Sequence, residues 1–482
     1  MHGLGHILIL RTWLVRRGHA LGLFARNAGM SLAPIASLIV IGVALRLVLS
    51  VYSSTADLTQ FAETSLSMSY GGGPYAFVNI YPPSWSLLLN LIGRGIMTWG
   101  SPSLFVAPLP YGPLAAGATQ TPVLSMVVAP TFSVMEKSTL TIFDLGTGLL
   151  IYDIVKRYRF SSLEARTAFA LWFLNPVVIT VTAVHGDYDS VAAFFVLASV
   201  VLLMEREYVW SGLAIGTGAA LKLYPLFLIP LGIAVIARRQ SGPRSRALAI
   251  ASYVLGAGGA GAVPFLPPGV LSSYLTFAST GATTQTNFGG FWVWSVGYLP
   301  GLGQILDWAY SHTATITPVM LGIAAGCAIA VSVLYFHADR SRETGLVSLQ
   351  RLNPYFVGIV AATYFSVPVV QPQYIVWILP FLVLSQRWRN RKALVAFFAL
   401  SALVPAFYYL GFGGPLYLWM GLPVFTRLVS PPVIVANLTY FASFTATLNP
   451  ILLVGGFVAL LASVAFAVVN PNNRKGGQGA DL

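Results

Sequence analysis

The chain alternates long apolar runs with short polar segments, and this pattern predicts membrane-spanning helices. An α-helix needs about 20 mostly apolar residues to cross a bilayer, and runs near that length recur along the chain. With both termini in the cytoplasm, we predict fourteen spans, at about 30–52, 82–98, 103–133, 138–156, 167–184, 189–204, 209–222, 224–237, 247–266, 318–337, 354–369, 374–386, 393–411 and 446–469. The predicted fold class is an all-α polytopic integral membrane protein with about 12–14 transmembrane helices, whose outer-face loops form the active site.

The distribution of basic residues sets the orientation of these helices. In the predicted threading most of the 27 Lys and Arg residues fall on the same side, in the N-terminal tail and in alternate loops. Cytoplasmic loops are enriched in bases, so this side is cytoplasmic. The formal charge of +13 thus reflects membrane topology, and we predict no nucleic-acid partner.

Composition excludes a soluble globular protein. Of the 482 residues 56% are hydrophobic and 9% are charged, against about 25% charged residues in soluble domains. The single cysteine, Cys327, excludes an intramolecular disulfide. We divide the chain into four parts: a basic cytoplasmic tail at 1–29, a membrane domain at 30–411, an outer loop with the last transmembrane helix at 412–469, and a cytoplasmic tail at 470–482.

The segment from Val209 to Ala237 is long enough for one span, but a single crossing would place the following arginines outside. Two half-length helices that meet at Lys222-Leu223-Tyr224-Pro225 avoid this. Broken helices occur at membrane depth where they line a cavity or are buried in protein.

Three bases fall towards the outer leaflet, where the positive-inside rule does not explain them: Arg46, Lys137 and Lys222. A cation at such depth costs about 2.5–3.5 kcal/mol and usually has a partner or a ligand. Each alone could reach the outer headgroups with its side chain. Together they favour an anion site, and we predict that they bind a phosphate.

Acidic residues on the outer side are candidates for chemistry. Asp57 directly follows the first span, and His185, Asp187 and Asp189 form the run HGDYD after the fifth. The His-x-Asp-x-Asp spacing is compatible with a metal site, but hydrogen bonding to a substrate or a structural turn is the favoured interpretation. Asp144, inside the fourth span, is interpreted as a buried partner for Lys137, two helical turns earlier.

A third outer cluster lies in VVQPQYIVWILPF, where Gln371, Gln373 and Tyr374 mark the turn between two predicted spans. Amide groups and aromatic rings suit the hydroxyls and the apolar face of a sugar. An aromatic belt at the membrane interface gives the same pattern.

These motifs together resemble a known family. The first outer loop carries an acid and ends in YPP, and it is followed by NPVVI with HGDYD, by KLYPL and by QPQYIVWILPF. On these motifs the chain resembles the C-type polytopic glycosyltransferases that use polyprenyl-phosphate sugars. The resemblance covers most of residues 30–390. It is closest to the mannosyltransferases that use dolichyl- or polyprenyl-phosphate mannose.

The resemblance implies a function and a site. The expected reaction is inverting transfer of a hexose, most simply mannose, from a polyprenyl-phosphate donor to a lipid or glycan acceptor, on the extracytoplasmic face of the cell membrane, or of the ER membrane in a eukaryote. No cofactor and no metal are implied. Asp57 matches the catalytic base, although many relatives have paired acids in this loop and here the next acid is Glu63. The assigned site residues are Asp57 as base, Arg46, Lys137 and Lys222 for the donor phosphate, and Tyr81, His185, Asp187, Asp189, Gln371, Gln373 and Tyr374 for sugar and acceptor.

Two other function classes fit part of the pattern. A ligase or polymerase of lipid-linked glycans would use a diphosphate donor, and a metal requirement would favour it. A secondary transporter or lipid flippase would also have broken helices and buried charge, but it predicts inverted internal repeats, and no convincing pair of similar halves is present.

Overall fold

The computed structural model describes residues 33–53, 55–75, 81–108, 126–159, 161–276, 304–338, 346–367, 372–385 and, with gaps, 394–402. Its helices are α1 (Ala36–Tyr52), α2 (Ala56–Ser69), α3 (Pro83–Met97), α4 (Pro130–Arg159), α5 (Ser162–Phe173), α6 (Pro176–Ile179), α7 (Asp189–Met204), α8 (Tyr208–Leu221), α9 (Ile229–Arg239), α10 (Pro243–Ala262), α11 (Gln304–Ser311), α12 (Thr313–His337), α13 (Leu346–Ser366) and α14 (Ile375–Ser385). Residues 270–276 are also helical. Two short strands, β1 (Val106–Pro108) and β2 (Met126–Val128), pair antiparallel with Val106 opposite Val128.

The helices confirm an all-α polytopic membrane protein. Within the described part of the chain, five helical segments are long and apolar enough to cross a membrane: Ala33–Val51, Pro130–Arg157, Ser162–His185, Pro243–Phe265 and Thr315–His337. Three shorter apolar helices are Asp189–Met204, Tyr208–Leu221 and Ile375–Ser385. The predicted spans at 393–411 and 446–469 lie largely outside the described residues.

The predicted span at 103–133 is wrong. Its described parts are a 3-10 turn, strands β1 and β2, and the start of α4, which runs unbroken from Pro130 to Arg159. The sequence between the strands contains three prolines, Pro110, Pro113 and Pro122, and proline is disfavoured in helix interiors. The predicted span at 82–98 is α3, which has 15 residues and contains Arg94, shorter than the about 20 residues that a crossing needs.

The predicted break after residue 221 is present. Helix α8 ends at Leu221, Lys222 is extended with φ −141° and ψ 148°, and a 3-10 helix (Tyr224–Leu228) leads into α9. Pro225 stands at the start of this 3-10 helix, where its missing N–H costs no hydrogen bond. The chain therefore presents the Lys222 side chain from an irregular segment between two short helices.

A second irregularity lies at the end of the segment that begins with α5. Asn175 caps α6 by accepting a hydrogen bond from the Val177 amide at 2.9 Å, and Pro176 takes the first helical position. The helix then widens into a π-turn over Thr180–His185 and ends at Gly186, whose φ is 80°. Single π-turns inside helices are frequent at functional sites. Here the π-turn delivers His185 and Asp187 to one end of the helix bundle.

Candidate active site

Asp57 is held by the start of helix α2. The hydroxyl of Thr55 caps this helix by accepting from the Leu58 amide at 3.2 Å, and it donates to the His185 carbonyl at 2.8 Å. Asp57 lies in the first turn, with Oδ2 2.9 Å from His185 Nε2. The Asp57 side chain is 33% exposed and that of His185 is 7% exposed. The pair thus consists of an accessible carboxylate and a buried imidazole that orients it.

The turn after His185 requires glycine. Gly186 adopts a positive φ, and a Cβ there would lie 3.0 Å from Leu58 Cδ1 and 3.2 Å from both Glu136 Oε2 and Lys137 Cε. An L-residue would meet both backbone strain and crowding. The close packing at Gly186 brings α2, α4 and the π-turn together beneath the site.

Asp187 and Asp189 face the ammonium group of Lys222. Lys222 Nζ lies 3.5 Å from Asp187 Oδ1 and 3.2 Å from Asp189 Oδ1. Gln373 Nε2 donates to Asp187 Oδ2 at 3.0 Å, and Trp377 Nε1 donates to Asp189 Oδ1 at 2.7 Å. Burial alone would raise the pKa of Asp187, but the neighbouring Lys222, His185 and Gln373 hold it below its usual value.

Aromatic rings surround the Lys222 ammonium. Its Nζ is 4.3 Å from the ring centroid of Tyr188, 5.5 Å from that of Tyr374 and 5.7 Å from that of Tyr81. Such cation–π contacts are worth about 0.5–2 kcal/mol each. Tyr374 also stacks on Trp377, with centroids 4.0 Å apart. The site therefore combines charged groups with ring faces, which suits a ligand with hydroxyl groups and an apolar face.

Arg46 has an internal partner. Its guanidinium bonds Asp144 Oδ2 at 3.1 Å and donates to the Phe173 carbonyl at 2.7 Å. Both charged side chains are buried, at 1% and 0% exposure. Asp144 is thus the buried partner of a base, as predicted, but the base is Arg46 and not Lys137, because α1 packs beside α4 and brings the guanidinium to Asp144. The role of Arg46 towards a phosphate remains a prediction.

Lys137 is also committed to protein oxygens. Its ammonium donates to the Ser53 carbonyl at 2.8 Å, the Ser53 hydroxyl at 3.0 Å and the Val184 carbonyl at 3.1 Å. Its side chain is fully buried. Lys137 thus joins the end of α1 to the π-turn, directly behind Asp57 and His185, and its contact with a donor phosphate remains a prediction.

Eight of the predicted site residues lie in one cluster, linked by the contacts above or by ring packing: Asp57, Tyr81, His185, Asp187, Asp189, Lys222, Gln373 and Tyr374. Lys137 lies behind this cluster and Arg46 lies deeper, against Asp144. Gln371 lies outside the described residues.

Two further residues contact this cluster, and the sequence analysis did not assign them to the site. Glu136 is fully buried, and neither of its carboxylate oxygens has a hydrogen-bond partner in the described part of the protein. Tyr188, inside HGDYD, stacks on Trp85 with centroids 4.3 Å apart and packs against Lys222. The adjacent Lys137 was the available signal for Glu136, since paired opposite charges inside an apolar helix are rare.

Several curated relatives share about a quarter of this chain. GPI mannosyltransferase 1 of Saccharomyces cerevisiae is 30% identical over 132 residues, which are 26% of this chain and 32% of that protein. GPI mannosyltransferase 1 of Kluyveromyces lactis is 30% identical over 118 residues, 23% of this chain and 29% of the relative. The GPI alpha-1,4-mannosyltransferase I catalytic subunit of Danio rerio is 29% identical over 126 residues, 25% of this chain and 32% of the relative. The alignments thus span about a third of each relative.

A family comparison covers more of the sequence. The model of glycosyltransferase family 87 matches residues 79–363, more than half of the 482 residues. The matched range contains the HGDYD turn and Lys222, whereas Asp57 precedes it and Gln373 follows it. The geometry joins these outlying residues to the matched part in one site. The chain belongs to glycosyltransferase family 87.

Proposed function

We propose that the protein transfers mannose from a polyprenyl-phosphate donor to an acceptor hydroxyl, with inversion, and that Asp57 is the general base. The acceptor oxygen attacks the anomeric carbon as the bond from that carbon to the phosphate oxygen breaks. The hydroxyl proton passes to Asp57, and the bonding electron pair leaves with the polyprenyl phosphate. Because a phosphate is a stable leaving group, the reaction needs no general acid.

The observation that carries this proposal is the geometry of Asp57. Among the carboxylates of the cluster it is the one with a substantially exposed side chain, at 33%, whereas those of Asp187 and Asp189 are 1% and 0% exposed. Its bond to His185 fixes the carboxylate at the edge of the site. A general base must be within hydrogen-bond reach of the proton that it takes, and this position allows a substrate to approach.

Lys222 is the proposed contact for the departing phosphate. It is the one of the three predicted bases that lies among the site residues, and its side chain is 10% exposed. Its two aspartates and three tyrosines keep the ammonium in place before a donor binds. A cation fixed in this way stabilises charge that develops on the leaving group without reorganising.

A crevice beside Tyr374 supports a donor with a lipid tail. Between α13 and α14 lies a narrow crevice with a cavity volume of about 10 Å³, lined mainly by apolar side chains. Its lining residues are Val360, Ala361, Tyr364, Phe365, Tyr374, Ile375 and Ile378. Tyr374 also packs against Lys222, so the crevice begins next to the proposed phosphate contact. An isoprenoid chain that leaves the phosphate there would run along this apolar surface, since the crevice itself is too small to enclose it.

The proposed setting is the extracytoplasmic side of the membrane. The positive-inside distribution supports it, because Asp57, the HGDYD turn and Lys222 fall at predicted outer ends of their helices. The relatives described above are GPI mannosyltransferases, which supports mannose as the sugar. The proposed acceptor is a membrane lipid or a lipid-linked glycan.

The test is a transfer assay with alternative donors. Membranes that contain the protein are incubated with radiolabelled polyprenyl-phosphate mannose, glucose or arabinose, and extracted lipids are followed for label. We expect label to move from the mannose donor. Transfer only from glucose or arabinose would reject mannose, and transfer only from a diphosphate-linked donor would reject the monophosphate mechanism. Membranes without the protein provide the blank.

A further inference from the structure

The cluster around the HGDYD turn carries more negative than positive charge. Asp57, Glu136, Asp187 and Asp189 provide four carboxylates, and Lys137 and Lys222 provide two ammonium groups. The Arg46–Asp144 pair compensates itself. With the His185 imidazole neutral, as a metal ligand must be, and the other groups ionised, two negative charges are left over in a largely buried space. Buried charge is costly unless it is paired or binds a metal, so two protons or one divalent cation must compensate it.

Glu136 is the carboxylate of this group whose charge lacks a hydrogen-bond partner among the described residues. It is fully buried, and both of its oxygens are without such a partner. Its Oε2 packs beneath Gly186, 3.2 Å from where a Cβ would stand. Gly186 separates His185 from Asp187, so an orphaned carboxylate lies directly against the turn that carries these two side chains.

Three neighbouring side chains have the geometry of a metal site. Asp57, His185 and Asp187 each offer one potential ligand atom, and these two carboxylate oxygens and one imidazole nitrogen lie within 4.8 Å of one another. Two carboxylate oxygens and one imidazole nitrogen form a donor set that suits Mn²⁺ and related divalent cations. We propose that Asp57, His185 and Asp187 bind one divalent cation of this class, with Glu136 behind them as the carboxylate that completes the charge balance.

A cation here would alter the chemistry proposed above, and this part of the inference rests on the proposed function. The donor phosphate adds negative charge to a site whose bases already have partners. A divalent cation supplies the missing positive charge and acidifies a hydroxyl that it contacts. Asp57 can then ligate through one oxygen and accept the proton on the other. The family resemblance implied no metal, whereas the arrangement of Asp57, His185 and Asp187 beside Glu136, which is unpaired among the described residues, favours one.

The test measures Mn²⁺ binding directly. The full chain, purified in detergent and stripped with a chelator, is titrated with Mn²⁺ while free Mn²⁺ is followed by electron paramagnetic resonance. We expect one saturable ion per chain. Loss of a residue that supports a metal ligand without contacting the metal weakens metal binding by about 10- to 100-fold. We expect Glu136→Gln to weaken Mn²⁺ binding by this amount. The ligand substitutions His185→Ala and Asp187→Asn should weaken it by more. Glu63→Gln, on the same helix as Asp57, is the matched control and should bind normally.

Absence of saturable binding to the unmodified protein would overturn the proposal, whatever the variants do. Equal binding by Asp187→Asn and Glu63→Gln would also overturn it, because the ion would then bind elsewhere. The transfer assay separates this proposal from the previous one. Transfer that persists in chelator, together with no Mn²⁺ binding, rejects the metal and keeps the transferase. Saturable binding that requires Asp187, without transfer from any donor, keeps the metal site and rejects the transferase.

Discussion

At the residue scale, two acids on the same helix have different surroundings. Asp57 lies in the first turn of α2 and bonds His185. Glu63 is half-buried, and its burial raises the pKa of the carboxyl above the usual value. Sequence position makes both of them acids of the first outer loop. The contact with His185 is what distinguishes Asp57 as the proposed base.

Asp57→Asn tests that distinction. The substitution preserves size and removes the proton acceptor, so we expect kcat for mannose transfer to fall by about 10²- to 10⁴-fold, the usual contribution of a general base, with expression unchanged. Glu63→Gln serves as the control and should keep most of the activity. The measurement is initial rates with the labelled donor. Near-normal rates in Asp57→Asn, with loss in Asp189→Asn, would move the base to Asp189.

At the element scale, the site depends on how the π-turn is fixed to the end of α1. Lys137 on α4 donates to carbonyls of both segments, and Ser53 donates to the Ala183 carbonyl at 3.1 Å. A π-turn leaves backbone carbonyls without regular helical donors, and buried carbonyls need partners. Lys137 is therefore interpreted as the residue that holds Asp57 opposite His185.

Lys137→Met distinguishes this interpretation from a direct phosphate contact. The variant keeps an unbranched apolar side chain and loses three donors, each worth about 1.5–3 kcal/mol because the donor is charged. We expect a lower apparent Tm in detergent together with a lower kcat. Thr139→Val on the same helix removes a hydroxyl that bonds only the Met135 carbonyl, and it should change both quantities little. An unchanged Tm with a strongly raised KM for the donor would instead assign Lys137 to the phosphate.

At the scale of the whole molecule, the loss of two predicted spans leaves the orientation predicted for the later helices unchanged. The structure removes 103–133 as a span, and α3 is too short to cross. Because these are two consecutive crossings, every loop after α4 stays on its predicted side. In this revised prediction Arg94, at first assigned to the cytoplasm, lies on the outer side with α3. Of the fourteen predicted spans twelve then remain, and this number includes the spans at 393–411 and 446–469, which lie largely outside the described residues.

Cysteine accessibility checks this orientation. In a Cys327→Ser background, a cysteine at Ser241, between α9 and α10, should react with a membrane-impermeant reagent only after the membrane is opened. A cysteine at Thr280 should react in intact cells. A cysteine at Asn90, on α3, should also react in intact cells, because α3 is predicted to lie on the outer side. Labelling of Ser241→Cys in intact cells would mean that residues 209–237 form one crossing and would invert all later loops.

The sequence by itself determined the class of the molecule and most of the site. Apolar runs and alternating basic loops depend on local free energies of transfer, so they predicted a polytopic helical protein. The arginines that follow residue 237 predicted the break between α8 and α9, because a single crossing would have placed them outside. The failure at 103–133 has a local cause as well, since average hydropathy does not register what proline does to a helix.

Tertiary structure alone decided which charges meet. In a buried site an ion pair forms where helix packing brings two side chains together, and sequence spacing within one helix does not report this. Arg46 therefore bonds Asp144 on another helix, Lys137 bonds carbonyls, and Lys222 lies between Asp187 and Asp189. The sequence identified the three bases as costly at their depth in the membrane. Their partners depend on distances between segments that are up to 127 residues apart in the chain.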